Sequence, residues 1–184
     1  MPSNQVSLNA TNRSTYMKNV LDIHDLLLVQ LRSLYDAESQ LKPFLIGLLT
    51  RAHNKGLRLL IKDYTHLTND NFHRLGQVFS HLFTESSGER NVTLRSMEDQ
   101  TLELLSTCKT SEVTDAALIL CLQQIIHYKI ASYGAVCTYA KILGVYDDGK
   151  KLHQTLAFEK KMDRLLVSLA EVRIDKEAYN YQDC

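Results

Sequence analysis

One seam of leucines constrains this chain more than any other feature. Positions 27, 31, 34, 38, 41, 45 and 48 advance in steps of three and four, and every one is Leu except Glu38. That spacing puts all seven on one face of a helix, so the segment from Val20 to about Ala52 reads as a long helix buried along one side. Pro43 lies within it; without an N–H it leaves the Ser39 carbonyl short of a donor, and a bend is expected there.

The same pattern recurs three times. Asn54-Lys-Gly56 marks a turn, and Leu57 to about Thr84 carries a second stripe through Leu60, Tyr64, Leu67, Leu75, Val78 and Leu82. After the loop Glu85-Ser-Ser-Gly-Glu-Arg, a shorter helix is expected over Leu94–Thr107, with Leu102 and Leu105 inward. Thr114 or Asp115 should cap a third long helix that ends near Leu143 at Gly144, since Asp and Thr cap well and Gly suits the position after a helix. Asp147-Asp148-Gly149 reads as a turn into a fourth long helix, about 150–172. Helices of about 25 to 34 residues would be about 37 to 50 Å long at 1.5 Å per residue. The expected fold is therefore all-α: an antiparallel four-helix bundle with an additional short helix between the second and third long ones. With only two prolines and seven glycines in 184 residues, nothing reads as a sandwich or barrel. Residues 1–19 read as a flexible N-terminal tail, 20–172 as the bundle and 173–184 as a polar C-terminal tail.

Lys+Arg and Asp+Glu are both 21. A formally neutral chain is not a dedicated binder of nucleic acid or of an anionic membrane, and neither partner is expected. No apolar leader and no run of 18 apolar residues is evident. The four cysteines, Cys108, Cys121, Cys137 and Cys184, have neither zinc-like nor CxxC spacing. Cys121 and Cys137 read as small buried hydrophobes. These features predict a reduced, cytoplasmic protein, in which the glycosylation pattern at Asn9, Asn12 and Asn91 would carry no meaning.

Glu38 has a counterpart. Leu152, Leu156, Met162, Leu166 and Leu169 form a seam on the fourth helix broken only by Glu159. A carboxylate in an apolar seam needs a partner, because burying an unpaired charge is costly. Two helices each offering one inward Glu is half of the arrangement used by dimetal carboxylate bundles, whose other two helices supply Glu-x-x-His. Here that other half is missing. The third-helix seam is Ile119, Leu122, Ile126, Ile130, Tyr133, Cys137 and Ala140, and the centre of the second helix is Leu67 and Asn71, with His66, Asp70 and His73 nearby. Two glutamates alone cannot hold a metal pair; a mononuclear site of Glu38, Glu159 and His66 or His127 is the alternative. No phosphate-binding loop, dinucleotide fingerprint, nucleophile elbow or HExxH motif occurs. Cys137 and His127 are ten residues apart on one helix, about 15 Å, too far for a nucleophile–base pair.

Four stretches carry a family resemblance: Leu34-Tyr-Asp-Ala-Glu-Ser-Gln-Leu41, Glu112-Val-Thr-Asp-Ala-Ala-Leu-Ile119, His127-Tyr-Lys-Ile-Ala-Ser-Tyr-Gly134 and Leu156-Ala-Phe-Glu-Lys-Lys-Met-Asp163. Over about residues 20–172 the chain resembles the YciF/YciE family of bacterial ferritin-like proteins, a domain of unknown function linked to stress responses. The resemblance implies a ferritin-like bundle, often a homodimer, whose members carry a carboxylate-rich centre for iron or another divalent metal pair. Glu38, Glu159 and Asp163 match that pattern. Leu67, Ile126 and Lys129 stand where the family usually has glutamates. The expectation is a vestigial metal site with no metal, no cofactor and no catalytic residue, and a protein more probable as a non-enzyme than as an enzyme. His66, His127 and tyrosine hydroxyls are candidate polar partners, and Lys129 is expected to pair with Glu159 or Glu38 in place of the metal. The competing readings are a metal-dependent oxidoreductase or peroxide-handling protein with a rearranged site, and a protein-interaction module.

Overall fold

The computed structural model describes residues 19–87, 90–174 and 179. Five α-helices follow one another: α1 (Ile23–Leu49), α2 (Lys55–His81), α3 (Val92–Thr107), α4 (Ser111–Ile142) and α5 (Tyr146–Leu169), closed by a π-helical turn at Ala170–Ile174. Among the described residues there is no strand. The N-terminal tail up to residue 18, most of the C-terminal tail, Cys184 and the sites at Asn9 and Asn12 lie outside the described residues.

Three of the four long helices start where a side chain can take up their unpaired N–H groups; α5 follows Val145 with no side-chain cap. Asp22 accepts from Asp25 N, Asn54 from Gly56 N and Leu57 N, and Thr110 from Val113 N. Asp115 is not the cap of α4, contrary to the sequence expectation. It is buried one turn inside that helix, and its two oxygens accept from His53 N at 2.8 Å and Asn54 N at 2.7 Å. It thus secures the start of α2 from a different helix. Asp147-Asp148-Gly149 is not a turn either but the first turn of α5, where carboxylates favour the helix dipole. The reversal is made at Gly144, whose φ of 72° suits glycine. Pro43 lies within α1, which runs through it to Leu49. In α3, Leu94, Thr101 and Leu105 are buried, whereas Leu102 faces outward.

Cross-helix pairs set the topology. α1 lies antiparallel to α4: its C-terminal end meets Asp115 near the start of α4, and Glu38 meets Lys129 and Tyr133 at the middle. α2 lies antiparallel to α5, through Tyr64–Glu159, Arg74–Thr155 and His81–Asp148. Neighbours around the bundle are therefore all antiparallel, and the connection from α2 to α4 spans the bundle's length through α3. One long crossover of this kind is the ferritin-like connectivity. Asn91 anchors the start of α3, its Nδ2 donating to Ser33 O, Ser33 Oγ and Tyr128 Oη.

The apolar core comes in two parts. Leu27, Leu31, Leu34, Leu75, Val78, Val136, Ala140 and Leu152 form one cluster; Leu41, Leu45, Leu48, Leu57, Ile61, Leu122, Ile126, Met162 and Leu166 belong to the other. Ile174 joins the second cluster, so the packed body extends two residues past the expected limit at 172. On every long helix a buried polar side chain lies between the two clusters.

Candidate functional site: a buried lysine between two glutamates

That polar layer consists of Glu38 on α1, Tyr64, Thr68 and Asn71 on α2, Lys129 and Tyr133 on α4, and Glu159 on α5. All are buried, and Lys129 is 0 % exposed. The ammonium of Lys129 lies 3.0 Å from Glu38 Oε2 and 2.7 Å from Glu159 Oε1. Its third hydrogen bond goes to Tyr64 Oη at 3.3 Å. An ammonium has three protons, and here all three have acceptors.

The carboxylates are satisfied as fully. Tyr133 donates to Glu38 Oε1 at 2.7 Å, and Tyr64 donates to Glu159 Oε2 at 2.8 Å. Asn71 Nδ2 donates to Glu159 Oε1 at 3.1 Å. Arg74, at the layer's edge, holds Asn71 by donating to its Oδ1 and to Thr155 Oγ1, both at 2.8 Å. Residues from all four long helices thus share a single network, and only Thr68 Oγ1 in the layer lacks a hydrogen-bond partner.

The charges do not balance: two carboxylates face one ammonium. Burial pushes Glu38 up to about 7, the nearby Glu159 adds to this, and Lys129 and the Tyr133 hydrogen bond oppose it. Burial works against the charge on Lys129, yet Glu159 and Glu38 together outweigh it and hold its pKa above the ordinary lysine value. Burial and the adjacent carboxylates raise Tyr64 and Tyr133 well above the usual phenol range, so both remain proton donors. Glu38 is therefore the member of the network that takes a proton near neutrality, while Lys129 stays an ammonium.

The sequence located three of these residues, Glu38, Lys129 and Glu159, and the structure brings them together. It separates the others. His66 is exposed on α2. His127 points away from the centre, to Asp163 Oδ1 at 3.1 Å, with 64 % of its side chain exposed. Neither histidine partners the glutamates, and Asp163 belongs to this outer pair. Leu67 is half-buried against the core, Ile126 is fully buried among apolar side chains, and Asn71 and Tyr64 take the inward positions on α2. Tyr64, Tyr133 and Asn71 were not assigned as site residues from sequence, because tyrosine in a seam reads equally well as packing.

The donor set does not fit a metal pair. Every polar atom of Glu38, Lys129, Glu159, Tyr64, Tyr133 and Asn71 is engaged with another, and the ammonium lies between the only two carboxylates of the layer. Among the described residues, three ligating side chains converge only at Asp22, His24 and Asp25, on the surface at the start of α1. A hollow of about 370 Å³ between α1 and α2, bordered by Ser39, Lys42, Asn69, Phe72 and His73, reaches Glu38 from outside. Lys42 Nζ donates to Asn69 Oδ1 at 2.7 Å there.

Residues 22–179 match the model of DUF892, a domain of unknown function. The chain belongs to the DUF892 family. It is 32 % identical over 163 residues to Protein YciF of Escherichia coli (strain K12), covering 88 % of this chain and 98 % of that protein. The crystal structure of the E. coli stress protein YciF superposes with a TM-score of 0.81 at 30 % identity, over 85 % of this chain and 99 % of that one. YcfI from Rhodopseudomonas palustris superposes with a TM-score of 0.79 at 29 % identity, over 82 % and 96 % of the respective chains. The DUF892 fold is thus the all-α bundle with a short helix between longer ones that the sequence indicated. No described helix is long and apolar enough to cross a membrane.

Proposed function

We propose that this DUF892 protein is a metal-free, non-enzymatic bundle in which Lys129 takes the place of a metal pair, with a stress-related role like that named for YciF. The observation that carries the reading is Lys129 Nζ at 3.0 and 2.7 Å from Glu38 and Glu159, with all three side chains buried. An ammonium fixed there supplies the counter-charge that a cation would give and occupies the oxygens that a cation would need. It cannot exchange ligands, open a coordination position or change oxidation state, so the layer organises the bundle instead of carrying chemistry. The reading extends to a homodimer in the cytoplasm.

Elemental analysis of protein purified without chelator tests this directly. The expected outcome is no stoichiometric iron, manganese or zinc after dialysis; two metal ions per chain would overturn it. The converse experiment is Lys129→Glu combined with Ile126→Glu and Leu67→Glu, which restores the carboxylates of the family pattern and is expected to raise the affinity for divalent iron or manganese. Light scattering checks the dimer, for which a single-chain mass is the contrary result.

A further inference from the structure

At the far end of the α4–α5 hairpin, away from the buried layer, lies a hollow of about 320 Å³ bordered by Cys137, Lys141, Tyr146, Gly149, Lys150 and His153. Its inner wall is apolar. Cys137 is half-buried, and burial pushes its thiol up to about 11, so it stays uncharged. The Tyr146 ring, 66 % exposed, extends this apolar surface outward.

Gly149 makes the hollow more than an accident of packing. It lies in the first turn of α5. It has no positive φ that would demand glycine. A Cβ there would sit 3.5 Å from Ala140 Cβ, an ordinary contact. Neither φ nor a Cβ contact requires glycine at 149, and its bare backbone borders the hollow.

The rim carries two lysines. Lys141, Lys150 and His153 border the hollow, and no carboxylate does. Of the nearest acids, Asp147 makes an exposed pair with the rim's own Lys150 at 3.0 Å, a surface pair that a ligand carboxylate can displace, and Asp148 turns to His81 and Lys151. Apolar walls under a basic rim select one ligand chemistry, an apolar body ending in an anion. We propose that this hollow binds a small amphiphilic carboxylate, a medium-chain or aromatic acid, with its body against Cys137, Gly149 and Tyr146 and its head on the Lys141–Lys150–His153 rim. The volume is at the lower end of ligand sites, which run from about 300 to 1,000 Å³.

Calorimetric titration of the full chain with decanoate, and in parallel with decanol, tests the assignment. Decanoate is expected to bind saturably with one site per chain, and decanol at least about tenfold more weakly. Gly149→Leu should fill the hollow and abolish binding while circular dichroism shows the bundle intact. Cys137→Phe fills it from α4 and serves if the first variant does not fold. Lys141→Glu with Lys150→Glu should weaken decanoate by at least about tenfold and leave decanol unchanged. Absence of saturable decanoate binding, equal affinity for acid and alcohol, or binding that survives filling of the hollow would each overturn the proposal.

Discussion

Tyr133 donates its hydroxyl proton at 2.7 Å to the one oxygen of Glu38 that Lys129 does not use. The two residues come from antiparallel helices, and both are buried. Every later property of the layer follows from this division. The ammonium and the phenol each take one oxygen, so a fully buried carboxylate keeps two partners.

Removing the ammonium should be costly. Lys129→Met keeps the stem and deletes the charge, leaving two carboxylates buried with no cation between them. Loss of one partner from a buried pair costs about 3 to 5 kcal/mol. Urea denaturation at about pH 8 measures it; a loss under about 0.5 kcal/mol, the usual size for a surface site, would place Lys129 outside the network.

The pH dependence has a definite sign. The folded pKa of Glu38, about 7, exceeds the ordinary value of 4.5. Between these values the folded chain holds a proton that the unfolded chain has released. Its contribution is therefore fully present below 4.5 and is lost as pH rises through about 7. Glu98, half-buried and pushed up to about 7 by burial, adds a slope of the same sign. Comparing urea midpoints near pH 5 and near pH 7.5 in the native chain and in Glu38→Gln isolates the first term. The Gln variant is expected to lose less stability over that interval; equal losses in the two proteins would refute the assignment.

Asp115 should matter to α2 although it belongs to α4. Asp115→Ala strands the N–H groups of His53 and Asn54, which the carboxylate takes at 2.8 and 2.7 Å. A hydrogen bond to a charged group contributes about 1.5 to 3 kcal/mol. The thermal midpoint is expected to fall accordingly, with hydrogen exchange quickening first in the opening turn of α2.

A gain is expected at Phe83. It follows α2 with φ of 50° and is 96 % exposed. A left-handed conformation costs an L-residue about 1 to 2 kcal/mol, and glycine avoids this. Phe83→Gly gives up no buried surface and should raise the unfolding free energy by about 1 kcal/mol; a lower urea midpoint would show that the ring makes a contact of value.

The sequence by itself determined the helices and the three charges of the layer. The Leu27–Leu48 seam and the Leu152–Leu169 seam repeat at the helical period, and a local pattern of this kind needs no neighbour to be read. Glu38 and Glu159 were legible because a carboxylate among leucines breaks such a pattern, and Lys129 because it stands where the family pattern has glutamate. What only the tertiary structure decided lies between helices. Tyr64 and Tyr133 fit an apolar seam as well as a polar layer, and only the packed bundle turns their hydroxyls onto Glu159 and Glu38. His66 and His127, adjacent in sequence to inward positions, face outward because each residue along a helix turns by about 100°. Asp115 looked like a cap for its own helix and instead serves the one beside it, since its partners, His53 and Asn54, are some sixty residues away in sequence and meet it only when α1 and α4 lie antiparallel.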